Sequence, residues 1–152
     1  MTLDPPSVGE RFPVAILTDL GSSPVSLARY GGSALILNFW ATWCEPCRRE
    51  MPSLQKLGTL FRPDALQVVG IAVDDDVNLV REFVLRYGIG FPVLLDRDQR
   101  LAHDVLRLPG FPTTYLVRRD GVIAARVIGD RDWAEEASLR EIERLLLLER
   151  RV

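Results

Sequence analysis

Apolar residues along the chain fall into short runs that alternate with stretches of helical periodicity. Ala34 to Trp40 and Leu66 to Val73 are nearly continuous apolar runs of strand length, the pattern of strands covered on both faces. Between them, Glu45 to Leu60 carries Met51, Leu54, Leu57 and Leu60 at helical spacing, with Pro52 placed to kink the helix. Val77 to Tyr87 repeats apolar residues at Val77, Val80, Phe83, Val84 and Tyr87 and stops at Gly88, which predicts an amphipathic helix with a glycine cap. Asp74, Asp75 and Asp76 precede it as cap and turn residues. Pro92 to Leu95 reads as a short strand and Gln99 to Leu106 as a short helix. Thr114 to Val117 and Val122 to Val127 flank Asp120-Gly121 as a hairpin. Ala134 to Leu148 sets Ala137, Ile142, Leu145 and Leu146 on one side of a closing helix. Near the start, Phe12 to Leu17 and Pro24 to Ala28 are extended pieces around the turn-rich Thr18 to Ser23, which predicts an N-terminal hairpin.

Strands alternating with helices predict an α/β fold, and the two hairpins make its sheet mixed rather than wholly parallel. A length of 152 residues with 47% apolar content suits a single domain over 1–152 with one core and no linker. The formal charge is -2 with both signs scattered along the chain, so nucleic acid is not expected as a partner. Of the 19 basic residues only Lys56 is lysine, a bias better explained by genomic base composition than by phosphate recognition. The longest apolar run, Ala34 to Trp43, is broken by Asn38 and Thr42 and falls well short of the ~20 residues of a membrane span. Met1 to Glu10 holds two prolines and two acids and lacks the basic start and apolar stretch of a signal peptide. That stretch suits either a cytoplasmic protein or one whose leader was trimmed.

The chemistry concentrates at Cys44-Glu45-Pro46-Cys47, a Cys-x-x-Cys at a strand-to-helix junction, where two thiols three residues apart can meet without moving the backbone. A purely structural bridge is a poor use of such a pair, because a loop of about four residues gives only ~2 kcal/mol by chain entropy. A closed zinc site wants four ligands, whereas the chain offers two cysteines and one distant histidine, His103. No metal and no cofactor is expected. Cys44, just before the helix, faces unpaired N–H groups and the positive end of the dipole, which favours a thiolate and makes it the attacking thiol. Cys47, one turn further in, is the resolving thiol. Glu45 sets a carboxylate beside the attacking sulfur and opposes thiolate formation, so Glu45→Gln is expected to lower the Cys44 pKa. Pro46 removes one N–H donor, and Arg48 offsets part of the effect of Glu45. Trp40 reads as core packing and Trp43 as an apolar rim for partners. His103 reads as an ordinary helix residue with no catalytic triad around it.

The stretch Leu37-Asn38-Phe39-Trp40-Ala41-Thr42-Trp43-Cys44-Glu45-Pro46-Cys47-Arg48-Arg49-Glu50-Met51-Pro52 closely resembles the TlpA/ResA-like branch of thioredoxin-fold proteins. The resemblance continues at Val69 to Asp74, Phe91 to Asp96 and Gly110 to Val117, and covers nearly the whole chain. It implies a thioredoxin fold, a central mixed sheet flanked by helices, with the N-terminal hairpin and the central βα insertion of that branch. It makes Pro112 a cis proline facing the disulfide, with Phe111 and Pro112 as the substrate platform; Trp43 and Pro46, beside the cysteines, are further candidate substrate-binding residues. It gives Glu45 the role of assisting proton transfer at Cys44 and Cys47. Asn38 stands where ordinary thioredoxins carry a buried aspartate, and it cannot accept a proton. The implied activity is thiol–disulfide oxidoreduction, in the sense of a disulfide reductase acting on protein disulfides in the bacterial envelope or periplasm. Cytochrome c maturation is the leading setting. The implied partners are protein disulfides and a thiol–disulfide electron donor, met by a monomer without a membrane span in this chain. Three other readings compete: a cytoplasmic thioredoxin-like reductase, a redox-inert binding module of the same fold, and a peroxidase, which wants a lone activated cysteine instead.

Overall fold

The computed structural model describes residues 4–151; the first three residues of the proline-containing N-terminal stretch and Val152 lie outside them. Seven strands are described: β1 (Ile16–Asp19), β2 (Pro24–Ser26), β3 (Ala34–Trp40), β4 (Leu66–Ala72), β5 (Val93–Leu95), β6 (Thr113–Val117) and β7 (Ile123–Ile128). They form one sheet in the order β2-β1-β5-β4-β3-β6-β7. β3, β4 and β5 run parallel, and both flanks of that trio are antiparallel, so the sheet is mixed as its two hairpins require. Three helices are α1 (Glu45–Leu60), α2 (Val77–Tyr87) and α3 (Glu136–Leu146). Every residue of β3 is buried, which is what its nearly continuous apolar run demands of a central strand, and Asn38 is buried with the rest.

Helix α1 packs on β4 with Leu54 and Leu57 fully buried, and runs on past Pro52 as one helix. α3 packs on β6 and β7. α2 is capped at both ends as its sequence predicts: Asp76 accepts a hydrogen bond from the Asn78 N–H, and Gly88 adopts φ 60°, ψ 43°, the left-handed geometry that costs glycine least.

Three expectations shift. The first strand of the N-terminal hairpin begins at Ile16, because the Phe12 N–H is taken by the Gly121 carbonyl and Arg11 bridges Val122, drawing the preceding segment toward the β6–β7 hairpin. The short helix at Gln99 to Leu106 is instead a 3-10 turn, Arg97–Gln99, followed by a π-helical turn, Arg100–Val105. The buried Asp96 carboxylate accepts from the Leu101 and Ala102 N–H groups, and Asp98 and Gln99 sit at positive φ, so no regular α-helix can start there. On α3 the buried face is Ser138, Leu139, Ile142 and Leu146, while Ala137, five residues before Ile142, falls off that face and is exposed.

The register places the site. β3 pairs parallel with β4, setting Trp40 beside Ala72, and antiparallel with β6, setting Phe39 beside Thr113. The end of β3, the end of β4 and the start of β6 therefore meet at one end of the sheet, where the loops carrying Cys44, Asp74 and Pro112 emerge.

Candidate active site

Cys44 is the N-cap residue of α1, extended at φ -92°, ψ 109°, and its sulfur accepts a hydrogen bond of 3.3 Å from the Cys47 N–H. Pro46 occupies the first turn, where a missing N–H costs nothing. The two cysteines form a disulfide with Cα atoms 5.3 Å apart. Cys44 is 6% exposed and Cys47 fully buried, so the outer sulfur is the one a partner can reach. Asp74 fixes the loop before the pair: it accepts from the Thr42 N–H at 3.0 Å and from the Thr42 hydroxyl at 2.5 Å. Arg48 donates to the Thr42 carbonyl from the other side.

The Phe111–Pro112 peptide bond is cis, and the Phe111 carbonyl oxygen lies 3.6 Å from Cys44 Sγ. Trp43 is 63% exposed and stands edge-on to the Phe111 ring at 6.1 Å between centroids, while Trp40 is buried against Phe83. Trp43, Pro46, Phe111 and Pro112, predicted separately, thus gather around the disulfide.

The two carboxylates of the motif separate. Glu45 points into solvent, its side chain 71% exposed and 3.6 Å from the Arg49 guanidinium. The buried carboxylate is Glu50, 2% exposed, which no reading of the sequence singled out. It lies three residues beyond Cys47, and residues at that spacing are neighbours on one helix face, about 5–6 Å apart at Cβ. Its Oε1 accepts from Asn38 Nδ2 at 2.6 Å and its Oε2 from the Trp133 indole N–H at 2.9 Å. Asn38 also donates to Thr114 Oγ1 at 2.9 Å. Burial pushes the Glu50 pKa up from 4.5 to about 7; the Trp133 and Asn38 hydrogen bonds pull it back in part, and the charge of Asp130 adds to the rise. A group of that affinity beside a buried thiol is equipped to exchange a proton with it.

Glu50 had a signal in the sequence: it interrupts the apolar stripe Cys47, Met51, Leu54, Leu57 at a position where a carboxylate should be costly. Trp133 had none, since it reaches Glu50 across 83 residues of chain. Asp76 is a helix cap, as expected, and His103 is exposed beside Asp104. Among the described residues no three His, Cys, Asp or Glu side chains are grouped to hold a metal ion, and no helix is long and apolar enough to cross a membrane.

Comparison with known proteins agrees with this geometry. The model of the AhpC/TSA family matches residues 8–126. The thiol-disulfide oxidoreductase ResA of Bacillus subtilis (strain 168) is 34% identical over 125 residues, which cover 81% of this chain and 68% of that protein. A Chlorobium tepidum protein assigned as the thiol:disulfide interchange protein DsbE superposes with a TM-score of 0.79 at 27% identity, covering 92% of this chain and 98% of the other. A secreted Mycobacterium tuberculosis disulfide oxidoreductase homologous to DsbE of E. coli superposes with a TM-score of 0.68 at 28% identity, over 88% of this chain and 96% of that one. With the fold, the Cys44–Cys47 pair and these relatives in agreement, the chain belongs to the AhpC/TSA family as a thiol–disulfide oxidoreductase of the ResA and DsbE type.

Proposed function

We propose that this oxidoreductase works as a disulfide reductase on protein substrates, with Cys44 as nucleophile, Cys47 as resolving thiol and Glu50 as the group that takes the resolving thiol's proton. The observation that carries the proposal is the buried Glu50 carboxyl, poised near neutrality on the same helix face as the buried Cys47.

In the reduced enzyme the Cys44 thiolate, held by the Cys47 N–H and the helix N-terminus, attacks one sulfur of a substrate disulfide. The substrate S–S bond breaks, a mixed disulfide forms at Cys44, and the first substrate thiolate leaves and takes up a proton from water. Cys47 then gives its proton to Glu50 and attacks Cys44 Sγ, which expels the second substrate thiolate and closes the Cys44–Cys47 disulfide. Two electrons have passed to the substrate, and a dithiol donor protein returns them by the reverse exchange. Trp43, Phe111, Pro112 and Pro46 form the apolar platform on which the substrate segment lies. Of the two carboxylates on α1, the solvent-facing Glu45 stays at the rim. A single-domain monomer suffices for this cycle.

The setting we propose is the bacterial envelope, where thiols are oxidised by default and a pathway that needs free cysteines, such as cytochrome c maturation, requires a dedicated reductant. The secreted DsbE homologue among the relatives supports that setting. The test is the reduction potential of the Cys44–Cys47 pair, measured by equilibration in dithiothreitol or glutathione buffers followed by alkylation and mass shift. A value near thioredoxin's, about -270 mV, supports the reductant. A value near about -120 mV reverses the direction and makes the protein a disulfide donor.

A further inference from the structure

We propose that Trp133 is a positioning residue of the redox centre, whose buried indole N–H, delivered by the segment that follows β7, holds Glu50 Oε2 and sets how readily that carboxyl takes and gives its proton. The inference rests on the reading of Glu50 as proton acceptor for Cys47, and its test separates the two.

Trp133 is fully buried, and its place is over-determined. Its indole N–H donates to Glu50 Oε2 at 2.9 Å while its main-chain N–H donates to Ser53 Oγ at 3.0 Å, one turn further along α1. The Ser53 hydroxyl in turn donates to the Glu50 carbonyl at 2.8 Å. The Arg131 guanidinium covers the indole ring 4.9 Å from its centroid and is paired with Glu141 of α3 at 3.3 Å. Ser138 of α3 donates to the Asp132 carbonyl at 2.7 Å. The segment is thus clamped to α1 on one side and to α3 on the other, and the indole has one direction in which to offer its proton.

An indole nitrogen donates and never accepts. It therefore favours the ionised carboxylate over the protonated acid, against the burial that favours the acid. The other groups at Glu50 are Asn38 on β3 with Thr114 of β6 behind it, and the main chain of Arg131 with the side chain of Asp130 on the same segment as Trp133, while Cys47 lies three residues earlier on its own helix. Asp130, 3.5 Å from Arg49, is a like charge and acts in the opposite sense to Trp133. One short segment therefore carries both a residue that favours the charged form of Glu50 and one that opposes it.

The experiment follows the carbon-13 resonance of the Glu50 carboxyl against pH in the reduced protein, assigned by its loss in Glu50→Gln, together with the pH profile of the rate at which Cys47 resolves a mixed disulfide preformed at Cys44. Trp133→Phe keeps an aromatic ring and removes the donor, and it is expected to raise the Glu50 midpoint by about one pH unit or more, the size of one charge-assisted hydrogen bond. Asp130→Asn is expected to lower it. The resolution profile is expected to move with the midpoint in each case. A Glu50 midpoint that stays within about 0.2 unit of wild type in Trp133→Phe, or that falls, overturns the role of Trp133. A midpoint that shifts while the resolution profile stays still supports the positioning by Trp133 and instead overturns Glu50 as the proton acceptor. Should Trp133→Phe not fold, the wild-type indole proton of Trp133 serves: its resonance is expected to titrate with Glu50 and to lose that titration in Glu50→Gln. An indole proton indifferent to pH across the midpoint refutes the proposal.

Discussion

Replacing Glu50 by Gln removes a carboxyl that the fold holds almost wholly out of water, and the consequence for stability can be worked from its proton affinity. The folded protein raises this pKa from 4.5 to about 7, so between those values the native state holds a proton that the unfolded chain has released. Stability from this group is therefore full below about pH 4.5 and is lost as pH rises toward 7. A gap of about 2.5 pH units, at about 1.4 kcal/mol each, amounts to about 3 kcal/mol. The Gln side chain fits the same contacts: its oxygen accepts from Trp133, and its amide donates to Asn38 Oδ1, which has no partner in the wild type, once the Asn38 amide turns over. Urea unfolding of the oxidised wild type and Glu50→Gln from pH 4 to pH 8 is expected to show the wild type losing about 3 kcal/mol relative to the variant across that range. Asp96, also raised by burial, acts with the same sign but is present in both proteins and drops out of the difference. A wild-type-minus-variant difference that is flat with pH, or that rises, refutes the argument that burial controls this carboxyl.

Other perturbations read other parts of the site. Cys47→Ser treated with a protein disulfide is expected to accumulate a mixed disulfide at Cys44, visible on a non-reducing gel, whereas Cys44→Ser is expected to accumulate none, since Cys47 is fully buried. Trp43→Ala removes an exposed ring resting edge-on against Phe111; unfolding should stay within about 0.5 kcal/mol of wild type while KM for a protein disulfide rises about fivefold or more. Asp76→Ala deletes the N-cap of α2 and is expected to cost about 1 kcal/mol in chemical denaturation, with the potential of the cysteine pair unchanged.

Much of the fold was legible because its long elements obey a single period. β3 and α1 fall on the predicted bounds, Ala34 to Trp40 and Glu45 to Leu60, since one is apolar but for Asn38 and the other opens on a cap and a proline. Where long-range hydrogen bonds decide, the pattern misled. Nothing in Phe12 to Ala15 says that its backbone turns toward Gly121 and Val122, and nothing in Gln99 to Leu106 says that Asp96 replaces a normal helix start. The site divides the same way. Cys44 and Cys47 are local and their spacing carries their chemistry, while Phe111 and Pro112 came from resemblance because β6 brings them to the disulfide from 67 residues away. Glu45 came from adjacency to Cys44 and from the resemblance; its side chain faces solvent, and the carboxylate three residues beyond Cys47, on its helix face, is Glu50.

That position breaks the local rule of its helix. The stripe of Cys47, Met51, Leu54 and Leu57 packs on the sheet, and a carboxyl among them costs stability that an apolar residue would not. Among the described residues no cation pairs with Glu50 to relieve the cost. The surrounding structure supplies two N–H donors, Asn38 and Trp133, which satisfy the oxygens, and leaves the acid near neutrality instead of driving it to permanent ionisation as a buried arginine would. The neighbouring choice of Asn38 works to the same end, because a second carboxylate there would repel the first and an apolar residue would leave Oε1 without a donor. A buried acid held by neutral donors, one helical turn from Cys47, fits the proton-accepting role proposed for Glu50, a role that a site built only to stabilise the fold would not need.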